Sequence, residues 1–543
     1  MKRFAPILTA LLLAAVFMAC AEQSAREKLL SRYDYIKPTP AMLKMPQEVQ
    51  TTIRQYNDGY YYPAAIGFYN ILQNPDWRAL HESAEYYFAE SLYRLRLYQA
   101  CQYELTKILF KGPDGSAYFT SALIKLLDIT YETKDETVIF AVLSNIPLEK
   151  FPGMFRNELL YLVGKMYFYQ GQYDEAYVKF DQVETASAFY AKANYFKGIV
   201  EVRRKEYEKA KETFDLIATL PIVAEEFGES RKVKEMSKLA VGQLFYAAAH
   251  DAPGDQQEEI FKAAITFYDQ VDRDNPQWFE AQFEKTWSAT MIGRYGISLG
   301  TSLTLASPYF DDRFVPEVEL ISAITWYTLC KYAEARETLN RFFVLYGDMH
   351  ERVKRYLAED APGMESQQTY DNLLDQYEAA YKGEETKLPI QVLTYVLNQQ
   401  RFVNYFQHVQ EIDREFDMIW IAPPQFAATE FFAQTVKKMD RQRSNIKKKA
   451  GQWALSELKA TEEMLAQLLG NAHNIDFELT DAERRRLEEE DKYGVGFQSR
   501  IYEQEELLLS PAVPDKYQYW PFDGEFWKDE LGYYLMAVEQ ECQ

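Results

Sequence analysis

Glycine and proline are scarce in this chain, at 23 and 21 of 543 residues. An all-β fold with many tight turns would need more of both, so long helices are favoured. Cysteine is scarcer still: Cys20, Cys101, Cys330 and Cys542 are the whole set. No CxxC pair exists, which excludes a zinc knuckle and a thioredoxin motif. The five histidines, His81, His250, His350, His408 and His473, lie far apart and none sits in an HExxH pair. The sequence therefore offers no metal-ligand motif and no cofactor motif. Positive charge is in deficit, with 60 Lys and Arg against 82 Asp and Glu, a net charge of -22. Such a chain repels phosphate backbones, so general nucleic-acid binding is excluded as an expectation. Beyond the first twenty residues no stretch approaches the roughly 18 uncharged apolar residues of a membrane span.

What the chain does have begins at its N-terminus. Lys2 and Arg3 precede an apolar core from Phe4 to Phe17, broken only by Thr9. This is a signal-peptide pattern, too short to span a bilayer comfortably. Met18-Ala19-Cys20 follows and resembles a bacterial lipobox, with Phe17 where that pattern usually has Leu. The resemblance implies lipidation of Cys20, and the absence of Asp after it implies sorting to an outer membrane. Cleavage at a small-x-small site, releasing a soluble periplasmic protein, is the alternative. Residues 1–19 are thus expected as a signal peptide and 20–47 as a tether. Cys101 and Cys330 are read as small apolar core residues rather than a disulfide framework.

The clearest internal signal is a period of 34 residues. Gly164, Tyr167, Gly171, Tyr173, Ala176 and Phe180 form one unit, and Gly198, Tyr207, Ala210 and Phe214 follow 34 residues after their counterparts. Weaker echoes occur at Gly59-Tyr61-Ala64-Phe68, Tyr98-Cys101-Leu105, Phe261-Ala264-Tyr268, Gly293-Tyr295 and Tyr332-Ala335-Leu339. That period with those residue types resembles the tetratricopeptide repeat (TPR) family of helix-turn-helix units. The resemblance implies an all-α fold, a TPR-type solenoid over 48–347, and a role in binding proteins or peptides. Grooves of this kind are lined mainly by the first helix of each unit. Asn157, Tyr161, Asn194, Lys197 and Glu201 are the candidate lining positions.

From 365 the period is lost, and 348–492 reads as a long-helix module. Helices are expected at 365–382 and 389–413, then a long one over roughly 426–469 ending at Gly470-Asn471. The long helix carries Lys437, Lys438, Arg441, Arg443, Lys447, Lys448 and Lys449, a basic run on an acidic protein that reads as a solvated face. Residues 493–543 form an aromatic C-terminal tail, Tyr517 to Tyr534, expected to lie as a strap on the body. Glu90-Ser91 and Ser444-Asn445-Ile446-Lys447 are isolated fragments of transglycosylase and SxxK motifs without companions, and no GxSxG or GxxxxGK[ST] occurs. The expected function is a non-enzymatic cell-envelope scaffold, a TPR lipoprotein binding partner proteins in outer-membrane assembly or a trans-envelope complex. A SusD-like glycan-capturing lipoprotein is the alternative, and a peptidoglycan-acting enzyme ranks third.

Overall fold

The computed structural model describes residues 26–37, 44–220, 230–360, 366–493, 500–501 and 524–542. These residues are all-α apart from a two-residue antiparallel ladder, Arg500–Ile501 against Glu539–Gln540. Residues 1–19, expected as a signal peptide, Cys20 and residues 517–523 of the aromatic tail lie outside the described residues. No described helix is long and apolar enough to cross a membrane.

Helix pairs dominate, and six of their turns among the described residues share one construction. The first helix ends at a residue with positive φ: Gly59, Arg96, Gly171, Lys205, Gly293 or Cys330. The next residue donates its N–H to a carbonyl five positions back, at 2.8–2.9 Å, from Tyr60 to Gln55 through Lys331 to Trp326. This closes the carbonyls that the end of a helix leaves open. One residue later the second helix opens, each time on a tyrosine: Tyr61, Tyr98, Tyr173, Tyr207, Tyr295 or Tyr332. Three residues into it stands Ala64, Cys101, Ala176, Ala210, Ser298 or Ala335, each fully buried. A small side chain there lets the two helices cross closely.

Gly164 serves the same crossing from the other side. A Cβ built on it would lie 2.6 Å from the Phe180 ring, and one on Gly242 would lie 2.4 Å from Tyr268. Cys101 is buried with a free thiol, as its slot requires. Cys330 departs from the expectation of a core filler: it takes the left-handed turn position and is disulfide-bonded to Cys542, with 5.2 Å between the Cα atoms.

The chain divides into two compact units, each drawing on separate stretches of the sequence. The first contains the described residues up to Val200 together with Gln400–Ala450; the second contains Glu201–Leu220, Arg231–Gln399 and the described residues from Gly451 onward. The late helices return onto earlier ones within each unit. In the first, Gln400–Trp420 lies beside the start of the long helix, where Arg443 pairs with Asp413 at 2.6 Å. In the second, Arg336 is held by Asp476 at 2.9 Å and Glu483 at 2.5 Å.

The long helix itself is a correction. It runs unbroken from Glu430 to Tyr493 and passes through Gly470 instead of stopping there. A mid-helix glycine costs about 1 kcal/mol, which burial of Leu468, Ala472 and Leu479 offsets. Residues 389–413 are likewise two helices, Ile390–Leu397 and Gln400–Trp420.

Residues 524–542 run along the second unit's helices. Leu531 and Tyr534 are buried among Leu239, Tyr268 and Trp278. The Gly532 N–H donates to Thr304 Oγ1 at 3.1 Å, and Trp278 lies where a Cβ on Gly532 would go. Met536 and Glu541 donate backbone N–H groups to Gly296 and Leu329.

Two stability outcomes follow. Gly164→Ala should destabilise the chain by about 1–3 kcal/mol through overpacking against Phe180, whereas Gly347→Ala, in a helix with open space around it, should be neutral or stabilising by up to about 1 kcal/mol. Urea denaturation of both variants checks the contrast. Cys542→Ser should weaken the second unit by about 2–5 kcal/mol and hasten proteolysis within 524–542, read by limited digestion.

Candidate functional site

The first helices of four successive pairs in the first unit are Gln47–Asn57, His81–Arg94, Phe119–Thr133 and Arg156–Tyr169. Their common side carries buried charge and tyrosine. Glu90 is 2 % exposed and sits between Arg94 at 2.8 Å and Lys125 at 3.2 Å. Lys125 Nζ lies 3.9 Å above the centre of the Tyr93 ring. Glu158 is also 2 % exposed and accepts the Tyr131 hydroxyl at 2.7 Å. Burial pushes the Asp128 carboxyl up to about 6, against the pull of Lys125 and Arg26.

A segment of the chain itself lies on this side. Residues 26–37, expected only as tether, cross the four pairs in reverse order. Arg26 pairs with Glu158 and stacks 4.8 Å from the centre of Phe155, at the fourth pair. Tyr33 packs against Tyr118 and Tyr86, with ring centroids 5.6 and 5.0 Å away. Asp34 pairs with Arg94 of the second pair. At the first pair, Asn57 clamps the backbone of Ile36, accepting its N–H at 2.8 Å and donating to its carbonyl at 2.9 Å. The Tyr56 hydroxyl donates to the Tyr33 carbonyl at 2.8 Å.

The lining positions read from the sequence fall elsewhere. Tyr161 is buried among Phe180, Phe189 and Phe196. Asn194 is buried and donates to the Tyr190 carbonyl at 2.9 Å. Glu201 is fully buried and accepts the Thr213 hydroxyl at 2.7 Å. These three are interior side chains, so as lining positions they are corrected: helix crossings cover them. Asn157 receives the Glu184 backbone N–H at 3.1 Å, and Lys197 pairs with Asp181 at 2.6 Å. Glu158, next to Asn157 in sequence, is the residue of this helix that meets the N-terminal segment. The sequence signal for the missed segment was its composition, since Arg26, Tyr33 and Ile36 suit docking better than a flexible linker.

Other fragments singled out in the sequence have structural partners. Ser91 donates to the Tyr87 carbonyl at 2.7 Å. Lys438 Nζ lies 3.4 Å above the centre of the Tyr103 ring. Among the described residues no group of three or more His, Cys, Asp and Glu is placed to hold a metal ion. No protein family and no curated protein matches this chain in sequence comparison.

Within this unit one further buried carboxyl joins helix Gln400–Trp420 to helix Tyr98–Phe110. Glu415, 2 % exposed, accepts the N–H groups of Gln99 at 2.8 Å and Ala100 at 3.3 Å, at the start of helix Tyr98–Phe110. Burial pushes its pKa up to about 8 from an ordinary 4.5, with the backbone N–H groups pulling the other way. The folded chain keeps this proton to higher pH than the unfolded chain. Its contribution to stability is therefore full below about pH 4.5 and lost as pH rises through about 8. Glu415→Gln keeps an acceptor oxygen without the ionisation. Its stability relative to wild type should rise from pH 5 to pH 8, as measured by melting temperature at both; a constant difference would contradict the assignment.

Proposed function

We propose that this protein is a non-enzymatic scaffold of the cell envelope, a TPR-type α-solenoid lipoprotein that holds segments of partner proteins on the side formed by its first helices. The observation that carries the reading is that the first unit already holds a peptide segment across four helix pairs, by side-chain contacts at its Arg26 end and by backbone hydrogen bonds at its Ile36 end. Extended or short helical segments lying along such a row are a recurrent mode of peptide recognition. The 34-residue period and the six like turns support the solenoid, and the C-terminal residues 524–542 act as its strap. The charged start, apolar core and Cys20 support a lipid tether at an outer membrane, where several acyl chains on one cysteine would hold stably.

Two experiments test this. Cys20→Ala should release the protein from membranes into the soluble periplasmic fraction; unchanged partition with a mature N-terminus at Glu22 would favour simple secretion. Crosslinking in intact envelopes followed by capture of this chain should recover defined protein partners. Retention on a glycan or peptidoglycan matrix without any protein partner would overturn the scaffold reading in favour of glycan capture.

A further inference from the structure

The contacts of residues 26–37 separate into two kinds. Asn57 on the Ile36 backbone and Tyr56 on the Tyr33 carbonyl read main chain, and would accept any peptide. Glu158 on Arg26, and the Tyr86–Tyr118 pair on Tyr33, read side chains. Tyr86 and Tyr118 are themselves stacked, with centroids 4.6 Å apart and an interplanar angle of 13°, so they offer a preformed edge to an incoming ring.

Glu158 makes the face selective. A carboxylate 2 % exposed needs a cationic or hydrogen-bonding partner to offset the cost of burying its charge. Tyr131 gives it one hydrogen bond, and half-buried Asp128 stands nearby, its carboxyl raised by burial against the pull of Lys125 and Arg26. When Arg26 leaves, Glu158 loses its cation, and this end of the face presents a carboxylate with Asp128 beside it to another cation. The aromatic slot lies seven residues further along the occupant.

We infer that residues 26–37 are an intramolecular ligand of this face, and that the face binds in trans a peptide segment bearing Arg or Lys and, seven residues on, an aromatic side chain. The inference rests on the peptide-binding reading above and names the chemistry of the partner. The occupant is tied to the helix that begins at Gln47 by about ten residues, which sets its local concentration at roughly millimolar. A free peptide with an intrinsic affinity of about 10 μM would then meet an apparent affinity about a hundredfold weaker until the segment is released. Partner binding and undocking of the segment that leads to Cys20 are thereby coupled events on one surface.

The test uses the full chain and a fluorescein-labelled synthetic peptide of residues 24–38, read by anisotropy. The Arg26→Glu/Tyr33→Ala variant should bind the peptide at least tenfold more tightly than wild type. A peptide carrying the same two changes should bind neither protein. Equal affinity for both proteins, or no binding to a variant whose melting curve is unchanged, would overturn the proposal. A second measurement needs no variant. In the wild-type chain, millimolar peptide should speed hydrogen exchange at the Ile36 amide, and a scrambled peptide should not; exchange unaffected by the true peptide refutes displacement. A failed partner capture with positive peptide results would sink the scaffold role and leave this site standing.

Discussion

The close crossing of two helices joined by a short left-handed turn is the constraint on which the rest of this structure depends. Where the first helix ends, one residue must take positive φ so that the chain can reverse within three residues. Gly59, Gly171 and Gly293 do so with little strain, but Arg96, Lys205 and Cys330 do so as well, at a conformational cost that burial beyond the turn offsets. The residue five positions later is small each time because the crossing leaves room for nothing larger. Gly164 beneath Phe180 shows how tight that room is.

Stacking pairs built in this way places successive first helices side by side, and the side chains on their shared surface become neighbours although they are some thirty residues apart in sequence. That is how Tyr56, Glu90, Lys125 and Glu158 come to share one row. Buried charges on such a row need partners, and here they find them in three ways: in the same helix, as Arg94 with Glu90; in the next helix, as Lys125 with Glu90; and in the N-terminal segment, as Arg26 with Glu158. The third solution is conditional, because the partner stands on a segment that packs against the row rather than within it.

The sequence by itself determined the helical class, the 34-residue period, the positions of the turns and the small residues at the crossings. All of these are local, set by spacings of a few residues that any stretch of the chain displays without reference to the rest. It also placed Cys101 in its buried slot. The tertiary structure decided what depends on contacts between distant residues. It paired Cys330 with Cys542 across a separation of 212 residues. It carried the long helix past Gly470, because buried neighbours and the Arg336 ion pairs outweigh a local stop signal. It buried Tyr161, Asn194 and Glu201, since a helix repeat says which residues face a neighbouring helix only once the angle between pairs is fixed. And it laid residues 26–37 across four helix pairs, a docking written in no motif, because the cation that Glu158 requires comes from 132 residues away.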